Sequence, residues 1–173
     1  NNKFLRLWWE ISFAEFSNKD IYKNKWIKYL KGGGFRRWNG NLEYLLHYNN
    51  DPSHILEQPN AQVMPLDTLL KPKGTWGSVT SSTFSCRFAP NDTFHDIGGH
   101  CFYPEVGQMH ALLGFLNSKV AEQLLLTINP TLNFQVGDIG KLPLVDFGSD
   151  AGKAVNQLIH NSGEDWNAFE RSW

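Results

Sequence analysis

The sequence predicts an α+β domain: a twisted, mainly antiparallel sheet with one long packed helix and further helices at the C-terminus. Three observations predict it. Short stretches rich in Val, Thr, Phe, Tyr and Trp recur up to residue 104, with glycine, proline or asparagine between them. Leucines at helical spacing run from residue 108 to 128. The last 25 residues read as a capped helix followed by a short amphipathic turn. The expected division is an α+β domain over 1–148 and a helical segment over 149–173, packed on that domain or leading onward.

Taken in order, residues 4–16 (FLRLWWEISFAEF) are dense in β-formers with partial alternation and predict a strand. KWIKYL, 25–30, predicts a second strand entering Gly32-Gly33-Gly34, where regular structure must end and the backbone can approach a neighbour closely. Asn39-Gly40 is a good turn pair. LEYLLHY, 42–48, fits a strand or a helix by length, with the strand preferred. Four prolines mark 49–75 as loop, with a short helix near 51–57. Residues 75–90 supply one or two strands, and 93–104 another that Gly98-Gly99 breaks.

Leu112, Leu113, Leu116, Val120, Leu124 and Leu125 form one apolar stripe, so a single helix is expected over 108–128, ended by Pro130. Residues 131–145 are expected to give a short strand, a turn through Gly137–Gly140 and an extended exit. Ser149 or Asp150 can cap a helix over 151–160, and Trp166, Phe169 and Trp173 share related faces of a final turn.

Composition bounds the function. The hydrophobic fraction is 41% and the charged fraction 19%, values of a globular chain. Cys86 and Cys101, without a secretory signal, predict reduced thiols, and the cytoplasm is the default location. No stretch reaches the roughly 18 apolar residues of a membrane span, and charge interrupts the opening residues, so no signal peptide is read there. The chain starts without methionine, which suggests a piece of a longer protein.

Net charge is −1, but its distribution is uneven. Residues 19–41 hold Lys19, Lys23, Lys25, Lys28, Lys31, Arg36 and Arg37 against Asp20 alone, and 71–87 add Lys71, Lys73 and Arg87 without an acid. Residues 42–70 hold four acids and no base. Segregated charge of this kind can present a basic face on a near-neutral protein; solvated surface lysines are the bland alternative.

Catalytic signals are weak. NPTL at 129–132 lacks the second proline and the aromatic residue of a base-holding Asn-Pro-Pro-aromatic loop, and the glycine run lacks the spacing of a methyl-donor turn. His95, Asp96, His100 and Cys101, with Asp92 close by, offer one cluster without the second ligand pair that zinc sites show, so no metal is expected. No catalytic residue is assigned. The remaining constellation is KGGGFRRW, 31–38, where Lys31, Gly33, Arg36, Arg37 and Trp38 suit contact with phosphates or guanine edges. KPKGTWGS, 71–78, adds Lys71, Lys73 and Trp76, with Arg87 nearby in sequence. The competing reading is a turn with surface arginines and a buried tryptophan.

RLWWEI near the start, GGGFRRWNGNLEYLL at 32–46, TWGSVTSSTFSCRF at 75–88, LLGFLNSKVAEQLL at 112–125, NPTLNFQVGDIGKLPL at 129–144 and EDWNAFERSW at 164–173 together resemble the BREX-type adenine-specific DNA methyltransferases of phage defence, the PglX family. The resemblance implies a target-recognition-domain-like fold and a role in gripping double-stranded DNA. It implies a parent that transfers methyl groups from S-adenosylmethionine to adenine, with the cofactor held by the methyltransferase domain of the same chain and none in this fragment. Such an enzyme must flip its adenine, so a separate module has to hold the flanking base pairs. A module that docks other defence-system proteins is the alternative, motivated by the aromatic tail and the acid-rich centre. LNSK at 116–119 is expected to fix a helix against the sheet, and 133–139 to serve packing and turn formation.

Overall fold

The computed structural model describes residues 3–169, apart from 60, 62, 64, 81, 96–98 and 144–147. The fold is α+β, with two sheets where one was expected. The first is ordered β1 (Leu5–Leu7), β3 (Tyr44–His47), β2 (Trp26–Leu30), β6 (Thr93–His95), and the second β5 (Cys86–Ala89), β4 (Lys73–Gly77), β7 (Gly99–Phe102). All ladders are antiparallel except β2 with β6. The chain reaches β6 from the second sheet rather than by a hairpin from β2, and runs beside β2 in the parallel register Lys28–Thr93.

The strand expected over 4–16 is cut to three residues. Glu10 folds back so that its carboxylate accepts from the Leu7 amide at 2.7 Å, and 3₁₀ turns at Trp8–Glu10 and Phe13–Glu15 follow. β2 lies between two neighbours and is apolar on both faces: Trp26, Ile27, Tyr29 and Leu30 are all buried. It sits on Leu5, Leu46, Tyr48, Leu69 and Phe94, so 42–48 is recruited as a strand rather than a helix. Asn49 and Asn50, both left-handed, turn the chain out of β3. Two one-turn helices, α1 (Ser53–Leu56) and α2 (Leu66–Leu69), cross the proline-rich stretch, the first within the span expected for a short helix.

The expected single helix over 108–128 is two, α3 (Met109–Leu116) and α4 (Lys119–Ile128), bent by 65°. The side chain of Asn117 causes the break. It accepts from the Cys86 amide and donates to the Cys86 carbonyl, both at 2.9 Å, and donates to Leu113 O at 3.1 Å. A helix continuing through Asn117 would carry that amide away from the sheet edge. Ser118 then caps α4 through the Ala121 amide at 3.2 Å. The anchoring role read into LNSK is what these bonds perform.

The segment 131–145 also departs from expectation. Asn133 makes only an isolated bridge to Val79, and a short helix, α5 (Val136–Ile139), replaces the turn. Phe134 is buried and its carbonyl accepts from the Trp76 indole at 3.0 Å. The C-terminus forms one helix, α6 (Gly148–Asn167), starting ahead of the expected caps Ser149 and Asp150 and running past 160. It lies on α3, with Val155 in the core formed by Trp76, Phe84, Leu113, Phe115, Leu125 and Phe134. Trp173 and the Gly98 break lie outside the described residues.

Candidate nucleic-acid interface

The loop between β2 and β3 is built from its glycines outward. Gly32 and Gly33 have φ of 80° and 107°, open to glycine at little cost. The Arg87 guanidinium donates to Gly32 O at 3.0 Å, Asn41 donates to Gly34 O at 2.9 Å, and the Arg36 amide donates to Ser85 Oγ at 3.4 Å. Trp38, left-handed at φ 71°, bridges to Arg87: its amide donates to Cys86 O at 3.0 Å and its carbonyl accepts from the Phe88 amide at 2.8 Å. The loop therefore borders the β5 edge as a short extra strand. Its tip, Lys31, Gly33, Gly34 and Phe35, stands exposed on a tightly held base.

Arg36 faces inward. Its guanidinium meets Asp165 at 2.6 Å, donates to Asn39 O and Ser162 O, and lies over the rings of Trp166 and Phe169 at 5.0 and 5.5 Å. This is a latch between the loop and α6. Ser162 Oγ adds bonds to the carbonyls of Arg37 and Asn39. Arg37 remains at the surface, 3.9 Å from Glu122 and 5.4 Å over the Phe35 ring, with its Nε unpartnered and buried.

The second expected basic group is corrected by burial. Lys73 is 0% exposed; its ammonium donates to the carbonyls of Leu69, Pro90 and Thr93 and to Thr93 Oγ1, and burial pulls its pKa down to about 8. Trp76 and Arg87 are 1% exposed, so neither reaches a ligand. The pleat explains this. In the second sheet β4 is central, buried along both faces, so a lysine within it turns inward and finds carbonyls.

Lys71 is exposed but stands before β4, whereas Gly33 packs beside Gly77 at the other end of that strand, about 13 Å away along it at 3.3 Å per residue. With Lys73 and Arg87 buried and Arg36 committed to α6, the groups Lys31, Arg36, Arg37, Lys71, Lys73 and Arg87 do not form one basic face. The stretch 19–41 is further neutralised: Lys23, Lys25 and Lys28 reach Asp20, Glu15 and Asp92 at 3.6, 3.6 and 2.8 Å. Among the described residues, Lys19 and Lys31 have no carboxylate partner, and Lys31 lies over the Tyr44 ring at 4.9 Å. What survives is a smaller feature, the loop tip. Sequence reasoning singled out its lysine, glycine and arginines but missed Phe35, which is 44% exposed. A phenylalanine between glycines and arginines was the available signal.

Other chemistries find little support. His95 and His100 lie on strands of different sheets, His95 bonded to the Tyr103 hydroxyl at 2.7 Å, and Asp96 lies outside the described residues. Among the described residues no three His, Cys, Asp or Glu side chains converge on a metal position. Asn129 of NPTL spends its amide on Asn133 O and Asp138 and its oxygen on Thr131, a loop closure that holds the Asp138 carboxyl below its usual pKa. The glycine run leads into β3 rather than a helix, and two of its carbonyls are taken by Arg87 and Asn41, which does not fit a methyl-donor turn. No single helix among the described residues is long and apolar enough to cross a membrane.

No family model matches the chain. Its whole length is nevertheless similar to curated proteins. Over 98% of the chain it is 34% identical to the adenine-specific methyltransferase BrxX of Escherichia coli O9:H4 (strain HS), and over 100% it is 30% identical to the adenine-specific methyltransferase PglX of Lacticaseibacillus casei (strain Zhang). It spans only 14% and 16% of those relatives.

Proposed function

We infer that this chain, a homologue of one segment of the BREX adenine-specific methyltransferases BrxX and PglX, is the part of such an enzyme that recognises DNA. The observation that carries the reading is the similarity along nearly the whole chain, confined to about a seventh of each relative. Methyl transfer from S-adenosylmethionine is assigned to the rest of the enzyme, and the present residues act by binding. The loop tip is the contact surface: backbone N–H groups at Gly33 and Gly34, with Lys31 and Arg37 beside them, suit phosphate oxygens. Arg36 is excluded from contact, because its guanidinium is committed to α6.

Anisotropy of labelled duplex DNA against this chain, from 50 to 300 mM salt, tests the reading. Affinity should fall in the range of non-specific binding, about 10⁻⁴–10⁻⁶ M at physiological salt, and weaken linearly in log–log form. Lys31→Ala should flatten the salt slope by about one. Binding indifferent to salt removes the reading.

A protein-docking role has one observation in its favour. Val79, Leu126 and Leu132 are exposed side chains, and the latter two line an apolar hollow of about 200 Å³ with Phe84 and Phe134. The aromatic tail does not share that surface; Trp166 is buried and Phe169 stacks with it.

A further inference from the structure

We propose that Phe35 is a wedge that enters the base stack of bound duplex DNA, with Arg37 and Lys31 placed to meet the flanking phosphates; this rests on the recognition reading above.

A wedge side chain must be apolar, exposed and carried on a backbone that cannot retreat. Phe35 meets each condition. It is 44% exposed at the loop tip. Retreat is blocked on both sides: Asn41 holds Gly34 O and Ser85 accepts from the Arg36 amide, while the Arg36 guanidinium is locked into α6 by Asp165, Trp166 and Phe169. Because the arginine following Phe35 is committed inward, Phe35 itself faces solvent and does not join the core.

Apart from its two chain neighbours, a Cβ added at Gly34 would meet nothing within 4 Å, so the backbone leading into Phe35 is uncrowded. The Arg37 guanidinium lies over the ring, 5.4 Å from its centroid, with its position set by Glu122 and by the Ser162 bond to its carbonyl. A cation behind an inserted ring is well placed for a phosphate once the base step opens. Base–aromatic stacking contributes about 5- to 150-fold in affinity per base.

Unwinding reads this step without knowledge of the recognised sequence. A nicked plasmid is sealed by ligase in the presence of this chain at low salt, and plasmid retention and topoisomer distribution are measured together. The intact chain should retain plasmid and shift the sealed products toward negative supercoils. Phe35→Ala should retain plasmid with about tenfold weaker binding and lose the shift. Gly34→Ala is a second probe: Gly34 has no positive φ and its surroundings are empty, so the fold accepts the methyl group. Its melting temperature should match the parent chain while plasmid binding weakens. If Phe35→Ala shifts topoisomers as the parent does, or the parent binds without any shift, the wedge is overturned and recognition stands. If the parent does not retain plasmid at low salt, the recognition reading fails and the wedge with it.

Discussion

Arg36 and Lys73 illustrate how a basic side chain can be taken out of the electrostatic surface by its own fold. Arg36 loses its freedom to a carboxylate, two carbonyls and two rings, a geometry that a planar guanidinium satisfies and an ammonium does not. Lys73 is held by oxygens that carry no full charge, so burial dominates and depresses its pKa to about 8 from 10.5. Between those values the unfolded chain keeps a proton that the native chain has released. The contribution of Lys73 to stability therefore rises with pH across that window and is lost as pH falls through about 8. Urea unfolding of the wild type and Lys73→Met at pH 7 and pH 9.5 checks this. The variant should be less stable at both, since the Leu69 and Thr93 carbonyls lose their donor, by about 2 kcal/mol at pH 7. The gap should widen at pH 9.5; a constant gap at the two pH values contradicts the assignment.

At the scale of elements, the break between α3 and α4 is the feature that most shapes the molecule. One asparagine bonds both backbone groups of Cys86, beside the Trp38 amide that also reaches its carbonyl, so the helix pair is fastened to the sheet edge by side-chain bonds as well as by apolar contact. Asn117 is 6% exposed, and its loss would leave the buried Cys86 amide without its partner and the Cys86 carbonyl with the Trp38 amide alone. Asn117→Ala should cost about 3 kcal/mol, read as a lower urea midpoint with an unchanged slope. Asn117→Asp should recover little, because a carboxylate cannot donate to the Cys86 carbonyl. An alanine variant within about 0.5 kcal/mol of the parent would remove the anchoring account.

For the whole molecule, the C-terminal helix ties two distant parts of the chain together. α6 covers α3 through Val155 and reaches the 31–41 loop through Ser162, Asp165, Trp166 and Phe169. Ending the chain after Gly163 should release the loop without dissolving the first sheet, whose core contains none of these residues. Limited trypsin digestion should then cut after Arg36 and Arg37, bonds that the intact chain protects, while the apolar cluster around Ile27, Leu46 and Phe94 keeps its hydrogen-exchange protection. Equal cleavage in both forms would show that the loop holds itself without Asp165, Trp166 and Phe169.

Local sequence determined what depends on near neighbours: the apolar stripe over 108–128, the capping and anchoring potential of LNSK, and the likeness in six segments to BREX adenine methyltransferases. Propensity and spacing act over a few residues, and those signals are complete within the chain's own local pattern. Tertiary structure alone decided which charges remain at the surface. Lys73, Trp76 and Arg87 vanish because β4 and β5 are covered on both faces, Arg36 because chain more than 120 residues later supplies its acid and rings, and the helix break arises because the Cys86 amide needs a partner. Phe35 is exposed for the same reason. A side chain's environment is set by elements far away in sequence, and no periodicity within a window records them.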